Sequence, residues 1–119
     1  FAPFAIVQVF RDMLVESKGR IVNVGSVAGE VNIAGGDIYH SSKHALKSLS
    51  ESMRMQYSSL GVSVSLIAPG YVKSNICDPA KSKVCGVFGP SETTTPAYFD
   101  ALTSPHPRTK YIVAHIGDG

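Results

Sequence analysis

Tyr39 and Lys43 stand four residues apart in a segment with helical periodicity, so their side chains share one helix face. A tyrosine hydroxyl ordinarily titrates near ~10, which makes it a poor acid or base at neutral pH. An ammonium group one turn away stabilises the phenolate and brings such a hydroxyl toward the range of an acid/base catalyst. The spacing arises easily by chance in a chain with five tyrosines, so the pair alone favours a solvated helix face.

Ser26 adds a third group to this pair. It follows an apolar, β-branched run, Arg20 to Val24, and open α/β sheets bind ligands beyond the carboxyl ends of their strands. A glycine-rich stretch separates Ser26 from Tyr39 and can fold back to bring them together. A hydroxyl there can donate a hydrogen bond to a substrate carbonyl oxygen, beside the acid that protonates it. The alternative is a serine that caps a turn.

The elements that must position these residues alternate along the chain. The pattern along the chain predicts helices over 4–16, 37–60 and about 96–103, and strands over 20–24, 62–67 and 110–113. The strand 20–24 is predicted from its short, β-branched apolar run between two glycines. Two strands joined by a long helical crossover form the βαβ unit of a parallel sheet. The first helix is apolar nearly all round in its first turns, which predicts burial on two sides. Residues 75–95 are looser in pattern and are predicted to be a mobile segment.

Composition narrows the function classes. The chain has 119 residues, which predicts one domain, and 44% hydrophobic against 17% charged residues excludes disorder. A net charge of +2 without a basic run argues against a nucleic-acid surface. The charge-free run 55–72 is too polar and broken to span a bilayer. Cys77 and Cys85 make neither a disulfide framework nor a four-ligand metal site, so we interpret them as inert thiols.

Three runs together resemble the short-chain dehydrogenase/reductases. They are the segment from Gly19 to Ser26, the Tyr-x-x-x-Lys pair with its intervening residues, and the run from Ile67 to Val72 with its Pro-Gly. The resemblance covers about residues 1–113. It implies an NAD(P)-dependent oxidoreductase that transfers hydride between a nicotinamide and an alcohol or ketone.

The resemblance also implies a role for each site residue. Tyr39 would be the general acid/base and Ser26 would orient the carbonyl. Lys43 would activate the tyrosine and bind the nicotinamide ribose, so Tyr39 and Lys43 would both also contact the cofactor. The loop after the second strand would line the NAD or NADP, with these residues against it or near its carboxamide or phosphates: Pro69, Gly70, Val72 and Ser74.

Features of the family pattern that are missing here indicate which part of the family's domain this chain resembles. The glycine-rich turn that seats the pyrophosphate has no counterpart here, nor has the residue that selects NAD or NADP. The family's catalytic asparagine would fall just before Phe1. The chain therefore resembles the C-terminal half of a Rossmann-like, doubly wound parallel α/β sheet, about strands five to seven. We expect 1–119 to be a partial cofactor-binding domain, with a substrate-loop region over 75–103.

The segment Ser104 to Tyr111 resembles the tail of the retinol and hydroxysteroid dehydrogenase branch. That resemblance implies a lipophilic alcohol or ketone as substrate, covered by the segment from Asn75 to Phe99. The apolar residues of that segment are Val84, Val87, Phe88, Tyr98 and Phe99. Packing of these side chains onto the core is an equally good interpretation.

Two other kinds of site fit the residues less well. His40 and His44 have the spacing of a zinc pair, but a zinc-protease helix needs glutamate where Ser41 stands, so we expect no metal site. A nucleophile elbow around Ser26 needs glycines at the positions of Val24 and Ala28. Hydride transfer is therefore the favoured reaction class.

The main alternative is a truncated, catalytically silent domain that acts through association. The helices 4–16 and 37–60 are those by which family members pack, so we expect a homo-oligomer through them. No secretory signal opens the chain, which predicts a cytoplasmic location, although a membrane anchor could lie in an N-terminal part that precedes Phe1.

Overall fold

The alternation of helices and strands predicted from periodicity is present in the computed structural model, which describes residues 1–74, 80 and 89–114. The helices are α1 (Ala2–Ser17), α2 (Asp37–Tyr57) and α3 (Thr95–Thr103), and the strands are β1 (Arg20–Val24), β2 (Ser63–Pro69) and β3 (Lys110–Val113). Several boundaries differ from the prediction by one or two residues, and the end of α2 differs by three. Residues 58–60 form a 3₁₀ turn after α2 rather than its last turn, and β2 extends to Pro69.

The three strands form one parallel sheet in the order β1-β2-β3. Asn23 of β1 is level with Leu66 of β2, which is level with Lys110 of β3. The helix α2 carries the chain from β1 back to the start of β2. Parallel strands joined in this way place all their carboxyl ends at one edge, and the sheet confirms the predicted α/β class.

Helices cover both faces of the sheet. On one face α1 and α2 bury an apolar cluster: Val7, Ile21, Met53, Tyr57, Val62 and Val64. On the other face α3 packs over a second cluster: Ile67, Ala97, Ala101 and Tyr111. Val64 and Ile67 belong to different clusters because side chains alternate between the two faces along β2. This two-sided cover is the doubly wound arrangement that the sequence predicted.

One buried polar link ties β1 to α2. The Asn23 side-chain amide donates to Ser50 Oγ at 2.8 Å, and that hydroxyl donates to the Leu46 carbonyl at 2.8 Å. Both Asn23 and Ser50 are buried. A buried amide left without a partner destabilises the fold, so this chain of bonds fixes the distance between the strand and the helix.

The helix α1 is covered on one face only within this chain. Val7 is buried, and Leu14 and Val15 are partly buried against the sheet. Its other apolar side chains are exposed by about half or more: Phe4, Ile6, Val9, Phe10 and Met13. The second covering predicted from the all-round apolar pattern is therefore not supplied by the described residues of this chain.

The helix α1 ends in a left-handed residue that is not a glycine. Lys18 has this conformation, at φ 49°, although Gly19 directly follows it. The Gly19 N–H donates to the Leu14 carbonyl at 2.8 Å, which completes a Schellman motif with lysine in the glycine position. Only the backbone geometry, not the residue type, reveals this.

The looser segment predicted over 75–95 is partly described. Gly89 pairs with Val72 in a parallel bridge, and Ser91–Thr94 forms a 3₁₀ turn that leads into α3. Its last residues therefore have regular structure, and the mobility of the segment stays a prediction. Cys77 and Cys85 lie outside the described residues.

Tyr57 offers a test of the larger cluster. Its side chain is fully buried, and its hydroxyl has no hydrogen-bond partner among the residues that the structure describes. Because an unpaired buried hydroxyl is destabilising, we expect Tyr57→Phe to raise the free energy of unfolding of the full-length protein by about 1 kcal/mol.

The matched control is Tyr111→Phe. The Tyr111 hydroxyl donates to the Asp100 carboxylate and accepts from the Arg108 N–H at 2.8 Å, so its loss should lower the free energy of unfolding by about 1–2 kcal/mol. Urea unfolding of both variants measures the two effects. A loss of stability in Tyr57→Phe would show that its hydroxyl is paired in the full-length protein.

Candidate active site at the carboxyl edge of the sheet

Ser26 lies at the carboxyl edge of the sheet, beside the end of β2. The Gly25 N–H donates to the Ile67 carbonyl at 2.7 Å, which extends the pairing of β1 with β2 by one step. Ser26 therefore follows the paired end of β1, two residues after Val24, which is level with Ile67. The Ser26 Oγ accepts from the Ala28 N–H at 3.1 Å and caps the 3₁₀ turn Val27–Gly29. The capping interpretation is thus confirmed, and Ser26 also follows the carboxyl end of β1.

Tyr39 and Lys43 lie on the first two turns of α2. The Lys43 Nζ is 5.6 Å from the centroid of the Tyr39 ring, within the range of a cation–π interaction. The Tyr39 ring also meets the His40 ring edge-on, with centroids 6.0 Å apart. Tyr39 is 55% exposed. The two side chains share one helix face, as their spacing predicted.

The turn after β1 packs directly on these first turns of α2. A Cβ added to Gly29 would lie 2.8 Å from the Lys43 carbonyl oxygen, closer than side chains tolerate. The His40 imidazole holds the next part of the loop, with Nδ1 2.6 Å from the Val31 carbonyl oxygen. These contacts bring the turn that carries Ser26 against the part of α2 that carries Tyr39 and Lys43.

The segment after β2 meets the same edge. Pro69 pairs with Val113, and the Gly70 N–H donates to the Val113 carbonyl at 2.7 Å. Val72 is held by its bridge to Gly89, and Ser74 is exposed a short way along the chain. Pro69 and Gly70 therefore lie at the carboxyl end of β2, at the same edge of the sheet as Ser26, while Val72 and Ser74 lie farther along the segment that leaves the sheet.

A pair of salt bridges, not predicted from the sequence, joins three elements near the site. Glu30 Oε2 accepts from Lys47 Nζ at 2.8 Å, and Oε1 accepts from Lys110 Nζ at 2.9 Å. The hydrogen bond from Lys47, and to a smaller extent that from Lys110, holds the pKa of Glu30 below its usual value. The bond between Lys47 and Glu30 also raises the pKa of Lys47. Lys47 and Lys110 are 17 and 80 residues away from Glu30, so no local pattern announces them.

The two candidate zinc ligands are engaged with the backbone. His40 Nδ1 contacts the Val31 carbonyl, and His44 Nδ1 lies 2.9 Å from the His40 carbonyl oxygen. Across the described residues, no three His, Cys, Asp or Glu side chains are grouped so that they could hold a metal ion.

A cavity of about 420 Å³ opens between α3 and β3. The Tyr111 hydroxyl and Asp100 line it, and burial followed by the bond to Asp100 raises the pKa of Tyr111. Of the apolar residues expected to cover a substrate, Phe99 is exposed and Tyr98 packs against the α3 cluster. Val84, Val87 and Phe88 lie outside the described residues.

No helix in the described parts of the chain combines the length and the hydropathy needed to cross a bilayer.

Comparison with known proteins gives consistent likenesses. The family model described as short chain dehydrogenase matches residues 1–84. The short-chain dehydrogenase srdE of Neurospora crassa is 43% identical over 76 residues, covering 64% of this chain and 26% of that protein. Retinol dehydrogenase 16 of Rattus norvegicus is 29% identical over 129 residues, covering 81% of this chain and 40% of that protein. The chain thus spans between a quarter and two fifths of these relatives.

A solved structure shows the same fold. The structure described as ElxO with NADP bound superposes with a TM-score of 0.83 at 16% identity, covering 94% of this chain and 52% of that one. The likeness at so low an identity concerns the fold alone, while the family match rests on the sequence. Together with the parallel sheet and its Ser, Tyr-x-x-x-Lys and Pro-Gly edge, the match over residues 1–84 shows that this chain belongs to the short-chain dehydrogenase family.

Proposed function

We propose that this chain carries the catalytic part of an NAD- or NADP-dependent oxidoreductase that transfers hydride between the nicotinamide and an alcohol or ketone. The observation that carries the proposal is the packing of the turn that follows Ser26 against the first turns of α2, which carry Tyr39 and Lys43. Membership of the short-chain dehydrogenase family supports it, as does the NADP bound to a structural neighbour.

The residues at this edge suit a nicotinamide cofactor in their chemistry. Lys43 presents a cation and Tyr39 an exposed hydroxyl on one helix face, which matches the hydroxyl groups of a ribose. Pro69, Gly70 and Val72 would line the nicotinamide side and Ser74 its carboxamide or phosphates. When bound, the cofactor supplies or accepts the hydride at the substrate carbon.

Side chains of this chain bind the substrate oxygen and exchange a proton with it. Ser26 Oγ uses a lone pair to accept from the Ala28 N–H, which leaves its hydroxyl hydrogen to donate to a carbonyl oxygen. Tyr39 gives a proton to that oxygen during reduction and takes it back during oxidation. Lys43 stabilises the phenolate that Tyr39 becomes, because its ammonium lies beside the ring. In this proposal Ser26 and Tyr39 therefore both bind the substrate oxygen, one from the turn after β1 and the other from α2.

We propose a lipophilic substrate. The similarity to retinol dehydrogenase 16 over 81% of this chain supports this substrate class, as does the exposed ring of Phe99 on α3. The segment 75–103 would then form the apolar cover over the substrate. Turnover of small polar alcohols in preference to long-chain or polycyclic ones would contradict the assignment.

We also propose that the full-length protein forms a homo-oligomer through α1 and α2. The support is the row of exposed apolar side chains on α1, together with Met55 of α2, which is 69% exposed. Faces of this kind on a folded protein mark contact surfaces.

The direct test of the function is a titration of the full-length protein with NADH and NADPH, followed by fluorescence, and assay of an alcohol and ketone panel at 340 nm. We expect one cofactor to bind in the micromolar range and to support turnover. Failure to bind either would favour the silent, associating domain instead.

Lys43→Met tests the site within the same assays. It keeps most of the length of the side chain and removes the charge, so we expect about 10-fold weaker cofactor binding and a kcat lower by about 100-fold, the range of lost acid/base assistance. Arg54→Met, which removes a cation from the far end of α2, is the control and should change neither. An effect of Lys43→Met on kcat alone would contradict its contact with the ribose.

A further inference from the structure

Glu30 uses both carboxylate oxygens to join three separate elements. Lys47 donates to it from α2 and Lys110 from the start of β3, at 2.8 Å and 2.9 Å. The three side chains are only 22%, 28% and 35% exposed, so water screens these bonds less than it does pairs on the open surface. We call this group, Glu30 with Lys47 and Lys110, the Glu30 clamp.

The clamp connects closely to the site at both ends. The turn from Ser26 to Glu30 is stiffened by two backbone bonds, from Gly29 N–H to the Ser26 carbonyl and from Glu30 N–H to the Val27 carbonyl, both 2.9 Å. On the other side, Lys47 lies one helical turn after Lys43. A shift of Glu30 relative to Lys47 therefore moves Ser26 relative to Lys43 and Tyr39.

The other contacts between the turn and α2 do not replace the clamp. The packing of Gly29 near the Lys43 carbonyl depends on the absence of a Cβ at residue 29, and it supplies no charged attraction. The bond of His40 to the Val31 carbonyl holds the chain beyond the turn, five residues after Ser26. Within the described residues, the clamp supplies the charged attraction that pulls the turn itself against α2.

We propose that Glu30 is a positioning residue, which holds Ser26 in register with Tyr39 and Lys43 for hydride transfer. This inference rests on the proposed function. Ser26 and Tyr39 must reach one oxygen atom, and small displacements of a catalytic group cost large factors in rate. Cofactor binding depends instead on Lys43 and on the segment after β2, which the clamp does not touch.

Charge at the clamp persists through the neutral range. The groups that face Glu30 are Lys47 from α2 and Lys110 from β3, with Glu51 acting on Lys47 along the same helix. Because the pKa of Glu30 is lowered on folding, its contribution to stability is present above the ordinary value of 4.5 and is lost as the pH falls through the lowered pKa. Assays near neutral pH therefore measure the intact clamp.

The test is Glu30→Gln in the full-length protein, which keeps the size of the side chain and removes its charge. We expect kcat at saturating cofactor and substrate to fall about 10-fold, from displacement of Ser26, while the dissociation constant for NADH or NADPH changes less than 2-fold. We also expect high salt to lower kcat in the wild-type protein and to have little effect in the variant, because salt screens the partly exposed clamp. A merely structural role would not produce this combination.

Charge reversal provides the rescue. In Glu30→Lys combined with Lys47→Glu and Lys110→Glu, one ammonium lies between two carboxylates, and we expect kcat to return to within about 3-fold of the wild-type value. Glu30→Lys alone, which places three cations together, should be at least as impaired as Glu30→Gln. Equal impairment of the single and triple variants would overturn the proposal.

Hydrogen exchange separates this inference from the proposed function. In Glu30→Gln, we expect faster exchange at the amides of Ala28 and Gly29, which bond to Ser26. If the wild-type protein is active, and Glu30→Gln changes neither kcat nor hydrogen exchange, the positioning role of Glu30 is overturned and the proposed function is not. If the wild-type protein is inactive with both NADH and NADPH, the proposed function is overturned. The positioning role is then overturned with it, whatever the hydrogen exchange shows.

Discussion

Tyr39→Phe is expected to lower kcat of the full-length protein by about 1,000-fold, within the range that a positioned proton donor contributes. The substitution removes one oxygen atom and keeps the ring, so the contacts of that ring with Lys43 and His40 remain. The variant loses the proposed contact of the Tyr39 hydroxyl with the ribose, but Lys43 keeps its ammonium at the same edge, so cofactor binding should stay nearly intact. Steady-state kinetics and NADH or NADPH fluorescence titration measure the two quantities separately.

The matched control for this variant lies on the same helix. Tyr57→Phe makes the identical change in a fully buried residue at the other end of α2, and it should leave kcat unchanged. Turnover retained in Tyr39→Phe would refute the acid/base role. Equal loss of turnover and cofactor binding would point to a binding role for the hydroxyl instead.

Gly29→Ala is expected to combine a loss of stability with a loss of rate. The new Cβ would lie 2.8 Å from the Lys43 carbonyl oxygen and 3.1 Å from its carbon, both backbone atoms that no side-chain rotation can move aside. The turn must therefore shift away from α2. We expect the free energy of unfolding to fall by about 2 kcal/mol, as in overpacked cores, and kcat to fall at least 10-fold because Ser26 moves with the turn.

Gly35→Ala separates steric displacement from backbone strain. Gly35 has a φ of 84° and nothing within 4 Å of an added Cβ, so alanine there meets only the cost of a left-handed conformation. We expect a loss of about 1 kcal/mol and an unchanged kcat. Urea unfolding measures the loss of stability in both variants, and steady-state kinetics measures kcat. Equal effects on kcat in the two would contradict the close approach of Gly29 to α2.

The sequence by itself determined the elements of this protein and the types of residue at its candidate site. Period-3.6 and period-2 patterns are local, so α2 and β1 were predictable within a few residues. The four-residue spacing of Tyr39 and Lys43 is also local, and it places both on one face wherever the helix lies. Their catalytic roles, and those of Ser26 and of Pro69, Gly70, Val72 and Ser74, stay predictions.

Only the tertiary structure decided how tightly those pieces meet. The salt bridges of Glu30 join residues 17 and 80 positions apart, and the approach of Gly29 to Lys43 involves backbone atoms that carry no residue-type signal. The same holds for α1, whose apolar pattern runs nearly all round and so cannot say which face the sheet covers. Periodicity reports which residues can be buried. The distances between elements are set by packing and by charge pairs between residues far apart in the chain, and these exist only once the sheet has assembled.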